Sequence, residues 1–286
     1  MKILLFGGTG LVGSRFQELL KNEFEIIAPS HADVDLLNPG QIKQTISDLE
    51  PDQILYAAGY TNVDKAEEEE ELTYNLNATA PQVVAESAKG VPVIYLSTDY
   101  VFDGTKSDKP YTEEDKTNPL STYAKSKTKG EGIILSADNK NSILRLIMPY
   151  SGVYTRKMDL ARIIVSKLKN NEKILGVSDQ KVNPIFVDHL VFAIAEVLKV
   201  KASGIYHLGA TNFTSPMEFA KLLALEFNLD QDLIEQTTLE EFSKSRKATR
   251  PKDSWLDTGK FITQFGNGIL HSVEKGVKDF KSQINP

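Results

Sequence analysis

Three glycines near the start of the chain could bring the backbone against a phosphate group. Gly7, Gly10 and Gly13 have the spacing Gly-x-x-Gly-x-x-Gly and lie between an apolar run and a segment with helical periodicity. Small residues there let a turn close, let the backbone approach a pyrophosphate and leave the first amides of a helix accessible. This position in the chain predicts a dinucleotide-binding turn, whereas the glycine spacing alone would also fit a structural tight turn.

A phenol and an ammonium form the second chemical pattern. Tyr123 and Lys127 lie four residues apart in a helix predicted over 119–136, and that spacing places them on one face. A neighbouring ammonium favours the phenolate, so we expect Lys127 to lower the pKa of Tyr123 towards neutrality. Thr98 or Ser97, at the end of the preceding predicted strand, can hydrogen-bond a reacting carbonyl. Such a pair is often an ordinary surface pair, but in a chain that also has a dinucleotide-binding glycine turn it indicates a catalytic role.

The end of the second predicted strand bears on the choice of nicotinamide nucleotide. An acidic residue there binds the ribose 2′-hydroxyl and favours NAD. This strand ends Ile27-Ala28-Pro29-Ser30-His31 without an acid, and Ser30 or His31 can lie near a 2′-phosphate. The pattern therefore favours NADP over NAD. Because no arginine is present to contact the phosphate firmly, use of both cofactors stays open.

A parallel sheet is needed to bring these residues together. Short β-rich runs alternate with helical segments, including one long helix over 72–89 despite Pro81, and this order predicts an α/β fold with a Rossmann-type, doubly wound parallel sheet. We expect residues 1–148 to form the dinucleotide-binding domain and 149–286 a smaller, mainly substrate-binding lobe. A segment at about 183–208 is expected to return and pack on the sheet. Open sheets of this type bind ligands at the carboxyl ends of their strands.

Ordered blocks of sequence carry a family resemblance over nearly the whole chain. Residues 97–104, STDYVFDG, form the most specific block, and the blocks at 51–67 and 123–131 precede and follow it. Further blocks run to Arg250-Pro251 and Ser254. Together they resemble the extended short-chain dehydrogenases/reductases and, more narrowly, the dTDP-4-dehydrorhamnose reductase family.

The resemblance implies a role for each of several groups of residues. The catalytic trio would be Thr98, Tyr123 and Lys127. The cofactor would contact Gly7, Thr9, Gly10, Leu11, Val12 and Gly13 at the pyrophosphate, Asp35 and Leu36 at the adenine, and Ala57, Ala58 and Gly59 at the ribose, together with Asn77, Tyr123 and Lys127. The sugar would face Thr61, Val63, Thr98, Tyr100 and Met148. Arg250, in the basic stretch 244–252, either reaches a substrate phosphate or belongs to a solvated basic face.

The implied reaction is reduction of a keto group, typically at C4, on a nucleotide-linked deoxysugar. Hydride would move from the nicotinamide to the carbonyl carbon while Tyr123 protonates the oxygen. Some positions depart from the family pattern: Met148 replaces a tryptophan that would pack on the hexose, Val182 replaces a glycine and Ile185 a threonine. A flexible thioether in place of a flat ring predicts a reshaped sugar pocket. The substrate is therefore expected to be a nucleotide-linked 4-keto sugar, which need not be the rhamnose precursor.

Composition narrows the classes of function. The 286 residues include no cysteine, which excludes disulfides, thiolate nucleophiles and metal-thiolate sites. A net charge of −6 without a basic stripe argues against nucleic-acid binding. The four histidines lack a metal-ligand spacing, so no metal is expected. No apolar run is long enough to cross a membrane, which predicts a cytoplasmic protein, and a homodimer is a further expectation.

Two other functions stay open at this point. One is an epimerase or dehydratase of the same superfamily, although a dehydratase usually needs two acids beside the threonine and Thr98 is followed by Asp99 and Tyr100. The other is a non-catalytic, NADP-binding regulatory subunit resembling the beta subunit of S-adenosylmethionine synthase. The intact trio of Thr98, Tyr123 and Lys127 argues against that second alternative.

Overall fold

Parallel strands covered by helices form the centre of the molecule. The structure is a computed structural model that describes residues 1–284. The strands are β1 (Lys2–Phe6), β2 (Glu25–Ile27), β3 (Gln53–Tyr56), β4 (Val93–Thr98), β5 (Ser142–Leu146), β6 (Ile174–Val177), β7 (Gly204–Leu208) and β8 (Ile234–Thr237). The helices are α1 (Leu11–Leu20), α2 (Pro39–Leu49), α3 (Val63–Ala66), α4 (Glu70–Tyr74), α5 (Ala80–Ala88), α6 (Thr122–Ala137), α7 (Leu160–Lys169), α8 (Val187–Lys199), α9 (Pro216–Glu226), α10 (Leu239–Ser243), α11 (Gly259–Phe265) and α12 (Val273–Ile284).

The main sheet has the strand order β2-β1-β3-β4-β5-β7, and every neighbouring pair in it is parallel. The register brings Phe6 on β1 beside Tyr56 on β3, and Tyr56 beside Tyr95 on β4. Chain order reverses on either side of β1, which opens a crevice at the carboxyl ends of β1 and β3. The predicted α/β fold with a doubly wound parallel sheet is confirmed.

Alternating side chains of the strands supply two separate cores. Ile3 and Leu5 of β1 pack on one face of the sheet, in a cluster with residues of α1, α8 and α12. Leu4 and Phe6 point to the other face, where α2, α5 and α6 cover them. This period of two is the geometry of an extended strand, and burial on both faces explains the continuous apolar runs in the sequence.

The second half of the chain is divided between two sheets. β7 pairs with β5 along its full length and so becomes an edge of the main sheet, while α8 packs against α1. β6 and β8 form a small parallel sheet of their own, which α9 covers. Residues of the C-terminal half therefore contribute both to the main sheet and to the small sheet of β6 and β8.

The helix predicted over 72–89 is interrupted. α4 and α5 are joined by a π-helical turn, Asn75–Thr79, and Pro81 lies in the first turn of α5. A proline lacks the amide that an unbroken helix would need in its interior, but it is accommodated where a helix begins again. The consequence concerns Asn77, since the wide turn carries this side chain into the interior of the protein.

Two observations concern what residues 1–284 do not contain. None of the helices described there combines the length and apolar character needed to cross a membrane. The same part of the chain has no group of three or more histidine, aspartate and glutamate side chains arranged to hold a metal ion.

Candidate active site

The glycine turn after β1 is closed by direct backbone contact. Gly7 has a φ of +90°, and a Cβ placed on it would lie 2.5 Å from the amide nitrogen of Ala58. A Cβ on Gly13 would lie 2.3 Å from the carbonyl oxygen of Gly7. Neither position accepts a side chain without movement of the backbone, which explains two of the three glycines physically. Ala57 and Ala58, predicted at the ribose, lie directly against this turn.

The amino end of α1 offers unpaired amides to a ligand. Gly10 precedes the helix, and no side chain in the described part of the chain caps it. The amides of Leu11 and Val12, at the start of this ten-residue helix, are therefore free to bind an anion, and the helix dipole favours negative charge there. The hydroxyl of Tyr154 donates to the carbonyl of Thr9 at 3.3 Å, so a loop from the second half of the chain borders the turn. These features fit a dinucleotide pyrophosphate.

The loop after β2 holds the residues predicted to contact the adenosine half of the cofactor. Ser30 donates from its backbone amide and its hydroxyl to Asp33, at 2.9 and 2.7 Å. His31 is exposed, Asp35 is half-buried, and Leu36 packs on the core beneath the sheet. Asp33 therefore brings a carboxylate beside Ser30, and inspection of the strand end alone missed this neighbour.

Asn77 connects the end of β3 to the helix that carries the tyrosine and lysine. Its side-chain oxygen accepts from the amide of Tyr60 at 2.9 Å, and its side-chain nitrogen donates to the carbonyl of Tyr60 and to the hydroxyl of Ser126, each at 3.0 Å. A Cβ on Gly59 would lie 2.7 Å from the Asn77 oxygen and 3.9 Å from Nζ of Lys127. Gly59, Asn77 and Lys127 thus lie close to one another.

Thr98 and Tyr123 come together where β4 ends and α6 begins. Burial raises the pKa of Tyr123 to about 12, and a hydrogen bond with the Thr98 side chain opposes this rise. The ring of Tyr100 lies edge-on to that of Tyr123, with centroids 6.1 Å apart. The expectation that Lys127 lowers the pKa of Tyr123 is wrong for this arrangement, because burial outweighs any such effect. A phenol that stays protonated at neutral pH is suited to donating a proton.

Lys127 is buried among neutral groups. Its ammonium donates to the carbonyl of Leu96 at 2.5 Å and lies 3.9 Å from the ring centroid of Tyr95. Burial lowers the pKa of Lys127 to about 7, and the charge of Glu131 opposes that fall. A lysine in such a position can change its protonation state near neutral pH.

A buried carboxyl group lies directly behind Thr98. The hydroxyl of Thr98 donates to Asp99 at 3.1 Å and accepts from the amide of Tyr100 at 3.3 Å. The other oxygen of Asp99 accepts from the hydroxyl of Ser254 at 2.6 Å. Burial raises the pKa of Asp99 to about 7, although these hydrogen bonds oppose the rise. Through Asp99, Ser254 brings the C-terminal half of the chain close to Thr98.

Arg250 is held by a carboxylate in this structure. Its guanidinium forms a two-pronged pair with Asp64, at 3.2 and 2.8 Å, and also donates to the carbonyl of Ala248. The hydrogen bond with Arg250 is the main reason that the pKa of Asp64 falls to about 2. The structure therefore does not leave Arg250 on a solvated basic face. A substrate phosphate could take its charge only in competition with Asp64.

The other residues predicted at the sugar lie on two loops. Thr61 is exposed after β3, and Val63 begins α3, which packs on α6. Met148 follows β5 with a φ of +43° and packs beside the apolar cluster that contains Phe102 and Tyr111. Val63 therefore lies on a helix that borders α6, and Met148 borders the segment after β4.

A buried ion pair beneath the site was not foreseen in the sequence. Glu131 on α6 and Arg145 on β5 form two hydrogen bonds, at 3.0 and 2.8 Å, and Ser97 donates to the same carboxylate at 2.5 Å. Arg145 also donates to Nε2 of His207 at 3.3 Å. The only available signal was that Glu131 lies four residues after Lys127 on a helical face.

Comparison with known proteins decides the family. The family model described as the RmlD substrate binding domain matches residues 1–285. The dTDP-4-dehydrorhamnose reductase of Salmonella typhimurium (strain LT2) is 35% identical over 298 residues, which cover 99% of this chain and 98% of that protein. The chain belongs to the dTDP-4-dehydrorhamnose reductase family. The resemblance of the sequence blocks at 51–67, 97–104 and 123–131 is thereby confirmed.

Solved structures of dTDP-4-dehydrorhamnose reductases share the whole fold. The protein from Clostridium acetobutylicum is 29% identical, with a TM-score of 0.92 and coverage of 100% of both chains. The protein from Bacillus anthracis strain Ames, solved in complex with NADP, is 29% identical, with a TM-score of 0.91 and coverage of 98% of both chains. The similarity therefore extends over the whole length of the fold.

Proposed function

We propose that this protein uses NADPH to reduce a keto group, at C4, on a nucleotide-linked deoxysugar. The supporting observation is the meeting of Thr98, Tyr123 and Lys127 beside Gly59, one strand away from the glycine turn. The named relatives with this end-to-end similarity are dTDP-4-dehydrorhamnose reductases, and one of them binds NADP. The proposal makes the protein an oxidoreductase acting on an alcohol–ketone pair.

The residues around the glycine turn fit a nicotinamide dinucleotide. The open amino end of α1 would bind the pyrophosphate through Leu11 and Val12, and Ala58 would lie beneath the ribose. Lys127 would hold the nicotinamide ribose. When bound, NADPH supplies the hydride that reduces the carbonyl carbon. The preference for NADP over NAD rests on the acid-free end of β2 and on the NADP complex of the Bacillus anthracis relative.

Side chains of this protein supply the proton that the reduced carbonyl oxygen requires. Tyr123 keeps its hydroxyl proton at neutral pH and donates it to the oxygen of the carbonyl under reduction. Thr98 can hydrogen-bond the same oxygen if its hydroxyl turns from Asp99, which keeps a second donor in Ser254. A positive Lys127 nearby then stabilises the phenolate that Tyr123 becomes. Each of these groups lies near the carboxyl end of β4.

Substrate recognition is assigned to a second group of residues around the proposed sugar pocket. Tyr100, Val63 and Thr61 would contact the sugar, and Met148 would replace the flat aromatic surface usual in the family. Arg250 would bind the diphosphate by leaving Asp64. Because Met148 changes the shape of the sugar pocket, a panel of nucleotide sugars is the means of identifying the base and the sugar.

The test is consumption of NADPH by the purified protein, followed at 340 nm. A panel of dTDP-, UDP- and GDP-linked 4-keto sugars is supplied, and the proposal requires turnover with at least one of them. Lack of NADPH consumption with all of them would refute it. A mass loss of water from a sugar nucleotide without NADPH use would instead indicate a dehydratase.

Tyr123→Phe separates catalysis from binding. Loss of the hydroxyl removes the proton donor, so turnover should fall by at least about 10²-fold, the usual range for general acid–base catalysis. NADPH affinity, measured by fluorescence titration, should stay within about twofold of the parent. A regulatory subunit would show no turnover in either protein.

The assembly and location are further parts of this proposal. We infer a homodimer and a cytoplasmic location from the sequence, and neither follows from the geometry of the site. Sedimentation equilibrium would test the assembly directly, and cell fractionation with an antibody against the chain would test the location.

A further inference from the structure

The face of α6 that carries Tyr123 and Lys127 continues into a third ionisable residue. Glu131 follows at the same spacing of four, so the three side chains form one column along the helix. Glu131 is only 3% exposed. A buried carboxylate requires compensating partners, which makes its place in this column informative.

The partners of Glu131 come from two neighbouring strands of the main sheet, β4 and β5. Ser97 on β4 and Arg145 on β5 donate to its two oxygens, as described above. Arg145 is in turn held by Nε2 of His207 on β7 and lies over the ring of Phe102. The two-pronged geometry fixes the position of the carboxylate against the sheet.

The immediate contacts of Lys127 contrast with this. The Lys127 ammonium donates a hydrogen bond to the carbonyl of Leu96 and lies against the face of the Tyr95 ring. Both are neutral, so they offset part of the cost of burying the ammonium but supply no negative charge. Glu131, one turn further along the helix, carries the negative charge that favours the ammonium form.

We propose that Glu131 is a positioning residue that keeps Lys127 in its charged form and ties α6 to the end of β4 through Ser97. This inference rests on the proposed function only for its consequence in catalysis. Ser97 directly precedes Thr98, so one carboxylate restrains the backbone of the threonine and sets the charge of the lysine. Arg145 holds that carboxylate in place and does not reach the substrate.

The test is the titration of Lys127 in Glu131→Gln, a nearly isosteric change that removes the charge. Protein labelled with ¹³C at lysine Cε is followed by NMR across pH, and Lys127→Met identifies the signal. The titration midpoint should fall by about one pH unit relative to the parent, the order expected for two charges about a helical turn apart at an intermediate dielectric. An unchanged midpoint would overturn the proposal.

Two further variants keep the result interpretable. Ser97→Ala removes one hydrogen bond to Glu131 but leaves its charge, so the Lys127 midpoint should stay close to that of the parent. If Glu131→Gln does not fold because Arg145 is left unpaired, Glu131→Gln with Arg145→Gln removes both charges. The double variant is compared with Arg145→Gln, from which it differs only at Glu131, and a midpoint that does not fall between these two proteins would also count against the proposal.

Catalysis supplies a second readout. Because Lys127 acts in its ammonium form, activity is lost as pH rises through the pKa of that lysine. The basic limb of the kcat profile should therefore move to lower pH in Glu131→Gln, by the shift seen in the NMR titration. If the parent reduces none of the keto sugars, the proposed function fails while the NMR result still judges the role of Glu131.

Discussion

Replacing Gly130 with alanine should push α6, the helix that carries Tyr123 and Lys127, away from its neighbours. Gly130 is buried in α6, and a Cβ there would lie 2.3 Å from the carbonyl oxygen of Asn77 and 2.6 Å from the hydroxyl of Tyr95. These two atoms form a hydrogen bond of 2.7 Å with each other. A methyl group needs about 1 Å more room on this side, so α6 must shift or that hydrogen bond must break.

Gly132 in the same helix supplies a matched control. It is exposed, and a Cβ there would have no atom of residues 1–284 within 4 Å. Both replacements gain the helix propensity of alanine, about 1 kcal/mol. Gly132→Ala should therefore be more stable than the parent by up to about 1 kcal/mol, while overpacking at Gly130 costs about 2 to 3 kcal/mol. The difference between the variants isolates the cost of the overpacking.

Urea unfolding of both variants, followed by circular dichroism, measures that difference. Gly130→Ala should also lower kcat by about 10- to 100-fold, because α6 positions Tyr123 and Lys127 and a displacement near 1 Å has effects of that size. Gly132→Ala should keep the rate of the parent. The reasoning is refuted if the two variants are equally stable and equally active, since the close approach of Gly130 to Asn77 would then not exist.

Three further outcomes follow from the geometry. Gly13→Ala should weaken NADPH binding by at least about tenfold in a fluorescence titration, because its Cβ would overlap the Gly7 carbonyl and widen the turn; unchanged affinity would contradict the close packing. Asp64→Asn should destabilise the protein above pH 4 and progressively less below it, because the pKa of Asp64 is lowered to about 2 and its stabilising charge is lost on acidification. A difference between parent and variant in urea unfolding that does not change with pH would count against this. The pKa of His207 is lowered to about 3, mainly by burial, so the folded state resists protonation and the free energy of unfolding falls as pH drops below 6.5. His207→Gln should reduce this fall by about 1 to 2 kcal/mol between pH 7 and 5, and an unaltered pH dependence of the free energy of unfolding would refute the reasoning.

The local patterns of the sequence determined the frame of this protein. Alternating β-rich and helical segments, the glycine turn before α1 and the four-residue spacing of Tyr123 and Lys127 are all encoded within short windows. Such windows set strand and helix geometry, because side-chain periodicity depends on neighbours in the chain. They were sufficient to predict the parallel sheet, whereas the family was predicted from the resemblance of the ordered sequence blocks at 51–67, 97–104 and 123–131.

Tertiary structure alone decided how charge is arranged around the site. Asp99 meets Ser254 across 155 residues, and Asp64 meets Arg250 across 186. Whether a carboxylate is buried, and which donor compensates it, depends on the packing of strands and helices that are distant in the chain. For the same reason the pKa of Tyr123 is raised, although its spacing from Lys127 predicted that it would be lowered. Spacing along a helix brings two groups together, but burial sets their protonation.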